Sequence, residues 1–108
     1  MSTPFVTTLR ARYTTIQLAP EGADAITIRV EMPEVWDVVR IMVAPAEAVL
    51  TVKLRALEAL FPEAELHEDF LLKLRGWEIL DEAASLADAG VVDGSILLLT
   101  HRRRRPVH

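Results

Sequence analysis

The sequence predicts an α+β roll, in which one main helix lies against one face of a mixed four- to five-stranded sheet. Three observations predict it. Stretches in which apolar and polar residues alternate with period two lie on both sides of one stretch with helical spacing. No other helical stretch is long enough to cover a sheet. The order along the chain is strand, strand, helix, strand, short strand, short helix, strand. At 108 residues, 51% apolar and 26% charged, the chain suits one domain with a single modest core.

Residues 1–24 are mixed. "FVTTLRARYTTIQLAP" is rich in β-branched residues and "PEGAD" then interrupts it, so this reads as an N-terminal arm, either an extra strand or flexible. In "AITIRVEM", Ile26, Ile28 and Val30 alternate with Thr27, Arg29 and Glu31, a strand with one apolar face. "PEVW" is a proline-led turn, and "DVVRIMVA" returns with Val39, Ile41 and Val43 on one face and Val38, Arg40 and Met42 on the other. Pro45 ends that strand.

"AEAVLTVKLRALEALF" carries Val49, Val52, Ala56, Leu57 and Leu60 on one helical stripe. Glu47 is expected in its first turn, at the positive end of the helix dipole, and Pro62 is expected to stop it. "DFLLKLRGWEIL" sets Phe70, Leu72 and Leu74 against Leu71, Lys73 and Arg75, turns at Gly76 and adds a very short strand. A brief helical turn is expected over Ser85–Ala89, with Gly90 as a left-handed stop. After "DGS", the strand "ILLLT" points Leu97 and Leu99 inward.

Several function classes lack their residues. There is no cysteine, hence no disulfide, thiolate chemistry or cysteine-bound zinc. No apolar run approaches the roughly 20 residues that span a bilayer, and the N-terminus does not read as a secretory signal, so membrane insertion is not expected and a cytoplasmic location is. His67, His101 and His108 are far apart, and Ser85 lacks the setting of a nucleophile elbow. Glu63, Glu65, Glu68 and Asp69 around His67 read as a solvated acidic loop rather than a metal site. Neither an enzyme nor a cofactor is expected.

The net charge of −4 is unevenly placed: Arg102, Arg103, Arg104 and Arg105 hold four of the twelve basic residues, and the remaining eight face sixteen acidic ones. So short a basic run, without an aromatic platform and behind an acidic body, does not suit nucleic acid. It reads as a flexible tail over residues 102–108, able to dock an acidic protein surface.

Two stretches carry a resemblance to the ubiquitin-like β-grasp family, over about residues 26–104. "VAPAEAVLTVK" (43–53) is similar to the family's strand end, proline and helix face. In "LRGWEILDEAASLADAGVVDGSILLLTHRRR" (74–104), Gly76, Ile79, Leu86, Asp88, Val91, Ser95, Leu97 and Leu99 match its turn glycine, core aliphatics, short-helix aspartate and last strand. The resemblance implies a β-grasp domain over residues 25–101. Covalent modifiers of this family end in a glycine pair, where this sequence has Arg105 and Pro106. Such a tail would not thread the narrow conjugating sites. The family's hydrophobic recognition patch is altered too: Lys73 stands at its central isoleucine, Leu98 at its histidine and Thr100 at its valine. Lys53 is its only retained attachment lysine.

Contact surfaces for other proteins are therefore the expected working parts. The outer sheet face offers Lys73, Arg75, Leu71, Ile96, Leu98 and Arg40. A second helix line, Leu50, Leu54, Leu57 and Phe61, exceeds what one core stripe needs; a partner, a second copy or the N-terminal arm could cover it. Trp77 is a candidate anchor, with packing under the neighbouring loop as the plainer expectation. The function expected is a non-conjugated ubiquitin-like interaction module, an adaptor or a component of a bacterial assembly. Small bacterial ubiquitin-like proteins of the type VII secretion kind share the missing glycine pair. The alternatives are a non-catalytic subunit of an enzyme complex and a modifier with atypical tail processing.

Overall fold

The computed structural model describes residues 15–19 and 24–102. Six strands form one sheet in the order β1-β3-β2-β6-β4-β5. They are β1 (Thr15–Gln17), β2 (Ile26–Met32), β3 (Asp37–Val43), β4 (Phe70–Leu74), β5 (Trp77–Glu78) and β6 (Ile96–His101), with one helix, α1 (Val49–Leu60). The sheet is mixed: β2 runs antiparallel to β3 but parallel to β6, and β4 is antiparallel to β6.

The sixth strand comes from the N-terminal arm. β1 lies parallel to β3, with Ile16 opposite Ile41. Ile16 and Leu18 pack against the core, and Leu18 N donates to Met42 O at 2.8 Å. The described part of the arm thus lines the sheet and does not cover the helix leucines.

Alternation sorts each strand. Ile28, Val30, Ile41, Val43, Leu72, Leu97 and Leu99 are buried on the α1 side, where they meet Val49, Val52, Ala56, Leu57 and Leu60. These are the residues of the expected stripe. Full burial of one such aliphatic is worth about 1.5–3 kcal/mol, so this interface dominates the stability of the fold.

The helix begins later than its sequence suggests. Ala48 is the extended N-cap, no acid lies in the first turn, and Glu47 precedes the helix. The orphan amides at this end are met by the distant loop: Val49 N donates to Ala84 O and Leu50 N to Glu82 O. In return Leu86 N donates to Glu47 O and Ala87 N to Pro45 O. Glu47 therefore serves through its carbonyl, a role that spacing cannot reveal.

The short turn after Ser85 ends as expected at Gly90, whose φ is +90°. Gly90 N donates to Ala87 O and Val91 N to Leu86 O, the paired bonds of a Schellman stop. This carries Leu86 and Val91, both buried, into the core.

Candidate functional site

The sheet face turned away from α1 is assembled by register. In one row Arg40 of β3 lies opposite Arg29 of β2, and Arg29 opposite Ile96 of β6. In the next, Val38, Glu31, Leu98, Lys73 and Glu78 follow one another across β3, β2, β6, β4 and β5. Ile96 is 50% exposed; Leu98 and Lys73 are half-buried, and both arginines are exposed. Like charges directly opposite one another destabilise a sheet. Yet neither Arg29 nor Arg40 forms an ion pair with a described residue. Arg29 was not evident as a site residue in the sequence; only the hairpin register places it beside Arg40.

Leu71 does not belong to this accessible surface. It shares the face but is only 7% exposed. On the same side, the start of the tail is tied down. Arg102 Nη1 is 2.9 Å from Glu78 Oε2, Arg102 Nε donates to Glu68 O, and Arg102 N donates to Asp69 O at 2.6 Å. Because β4 lies between β6 and β5, this bridge crosses β4 on the face that bears Leu71 and Lys73. Arg102 is therefore part of the fold rather than of a free tail. Arg103, Arg104 and Arg105 lie outside the described residues.

Arg75 and Gly76 form the two-residue turn between β4 and β5, with φ of +53° and +85°, as a type I′ turn requires. Arg75 thus projects from the turn and not from the sheet face. Trp77 beside it is 79% exposed, so it is not packed under a loop. It borders an open cleft of about 660 Å³, which also has Glu78, Leu80, Asp81 and Asp88 in its walls. Leu80 is 82% exposed.

The second helix line is mostly absorbed. Leu57 is buried, Leu50 is half-buried, and Phe61 packs its ring 5.7 Å from that of Phe70. Only Leu54, 43% exposed, remains a surface residue of this line. The ring of Phe70, which spacing alone could not bring near, accounts for Phe61. His67 lies beside Leu54 and Phe61 with its Nδ1 buried and without a hydrogen-bond partner. Among the described residues no three of His, Cys, Asp and Glu are grouped to hold a metal.

The two lysines are in opposite situations. Lys53 is 1% exposed, and Nζ donates to Phe70 O and to both oxygens of Glu82. It is closed to attachment chemistry. Lys73 stands on the outer face.

Two residues of the β2–β3 turn escaped the sequence reading. Trp36 has φ +53° and is 89% exposed at the hairpin tip. Left-handed backbone is costly for a bulky residue, and exposure returns no packing. Glu34, two residues earlier, accepts from Thr100 Oγ1 at 2.6 Å and from His101 N at 2.8 Å. Partial burial pushes its carboxyl up, and these hydrogen bonds outweigh that, so the net shift is below the usual carboxylate range. The turn is thereby latched to the end of β6. "PEVW" lacks the glycine that advertises a left-handed position, which is why Trp36 looked like an ordinary turn residue.

No protein-family model matches the chain, and no curated protein matches it in sequence. Solved structures do match. The ubiquitin-like domain of an Arabidopsis thaliana protein is 16% identical, with a TM-score of 0.62 over 84% of this chain and 92% of that one. The Caldiarchaeum subterraneum ubiquitin is 19% identical, with a TM-score of 0.61 over 76% of this chain and 99% of that one. An N-terminal ubiquitin-like domain of a third protein is 18% identical, with a TM-score of 0.60 over 83% and 88%. One helix across a mixed sheet, in this strand order and with these matches, is the ubiquitin-like β-grasp fold, here with a sixth strand from the N-terminal arm.

Proposed function

We propose that this chain is a non-conjugated protein-interaction module that docks a partner on its outer sheet face. The observation that carries the reading is the exposed Arg29–Arg40 pair beside Ile96, next to the Leu98–Lys73 pair. Arg29, Arg40 and Lys73 share this face with Ile96, Leu98 and Val38 and with two acids, Glu31 and the Arg102-paired Glu78. That combination suits a partner surface with carboxylates around an apolar side chain, since opposed potentials steer association and the apolar centre supplies affinity. An adaptor or structural role in a larger bacterial assembly, such as a secretion system, fits such a module. The sequence at Arg105 and Pro106 supports a non-covalent mode.

The test is capture of partners with the intact protein and with Lys73→Glu plus Leu98→Asp, followed by identification of what each retains. A partner held by the first and lost by the second supports the reading. Identical recovery by both overturns it.

A further inference from the structure

The cleft beside β5 opens on the α1 side of the sheet. Trp77 lies opposite Leu74, which packs against the core, whereas Glu78 lies opposite Lys73 of the outer face. The rim of the cleft is apolar: Trp77 and Leu80 are 79% and 82% exposed. The type I′ turn at Arg75 and Gly76, together with the bond from Ile79 N to Leu72 O, fixes the backbone that bears the indole. The walls are acidic. Glu78, Asp81 and Asp88 line them, and Arg75 is the only cation of the lining among the described residues. Glu78 is already held by Arg102. Asp81 and Asp88 form no ion pair with a described residue.

We propose that this cleft binds a basic peptide segment of another protein, one in which an arginine adjoins an apolar side chain. Its volume of about 660 Å³ suits a few side chains, within the roughly 300–1,000 Å³ of ligand clefts. Charge selects the sign: unpaired carboxylates repel an anionic ligand and attract a cationic one. The exposed indole selects arginine, whose guanidinium stacks on an aromatic face while its planar fork meets a carboxylate. Leu80 selects the apolar neighbour, because covering it removes apolar surface from water. The preset backbone under Trp77 keeps the ordering cost of binding low. This cleft and the outer face are separate surfaces that favour ligands of opposite charge, so each assignment can fail without the other.

The test follows amide and indole resonances of the intact chain during titration with a blocked peptide that alternates arginine and leucine. Counterpart peptides carry glutamate for arginine or serine for leucine, and a chain ending at Arg102 is titrated in parallel. Trp36, outside the cleft, is the internal control. The expected result is saturable movement of the Trp77 indole and of the Leu80 and Asp88 amides by the first peptide, weaker movement by the counterparts, and an unmoved Trp36 indole. Trp77→Ala should weaken binding about tenfold and Asp88→Asn about threefold. Both side chains are exposed, and unchanged dispersion elsewhere reports an intact fold. Absence of binding, equal binding of either counterpart, equal movement of both indoles, or shifts that map to Arg29, Ile96 and Lys73 overturn the proposal. So does binding that appears only in the chain ending at Arg102, because the occupant is then this chain's own tail. A Trp77 indole that shifts on dilution without peptide overturns it too, since a second copy then fills the cleft.

Discussion

Lys53 and Glu82 form a bidentate pair beneath the start of β4, with Nζ 2.9 Å from Oε1 and 2.7 Å from Oε2. Phe70 O accepts the third ammonium proton at 2.9 Å, so the group is fully satisfied. Breaking such a pair from one side costs more than removing the buried charge itself. Glu82→Ala should therefore lower stability by about 3 kcal/mol, and Lys53→Met by distinctly less. Urea unfolding of the two variants checks the order. Equal losses would show that the ammonium finds water once Glu82 is gone.

The same burial governs reactivity. An amine-specific acylating reagent should modify Lys73 in the native protein and spare Lys53, which reacts only through unfolded molecules. Peptide mapping after short exposure reads this directly. Comparable labelling of both lysines would contradict the burial of Lys53.

The Glu34 latch makes stability depend on pH. Its carboxyl has a lower value in the folded state than in the unfolded chain. Its contribution is therefore fully present above the unfolded value and is lost as pH falls through the folded one. Glu34→Gln should cost roughly 0.5–1 kcal/mol near neutrality, in keeping with an exposed pair of hydrogen bonds. It should also flatten the acid limb of the stability profile. A variant whose stability falls with acid as steeply as the parent's would assign that limb to another group.

Trp36 holds a left-handed backbone without burial to offset it. Trp36→Asn should raise stability by roughly 0.5–1 kcal/mol, because asparagine tolerates this region. If the tryptophan is kept for contact, the same variant should weaken partner capture. A destabilised variant would mean that the indole packs on something in solution.

Periodicity and one long helix made most of the architecture legible. The stripe from Val49 to Leu60, the alternation in β2 and β3 and the stop at Gly90 follow from local rules. What remained hidden depends on contacts between distant segments. Leu71 lies on the outward side of its strand and yet is buried, and the Arg102–Glu78 bridge ties together positions twenty-four apart in the sequence. Phe61 looked spare until Phe70 met it. Arg29 became notable only once register set it opposite Arg40. Site residues were thus harder to read than core residues, since a face is composed across strands whereas a stripe is written along one.

The outermost strands have a consequence for how this molecule can meet others. On one margin β1 has three residues, and on the other β5 has two. Among the described residues neither margin offers a long row of free backbone donors and acceptors, so stacking of copies by ladder extension has little to start from. Recognition must then be written in side chains, where a few substitutions can redirect it without disturbing the scaffold.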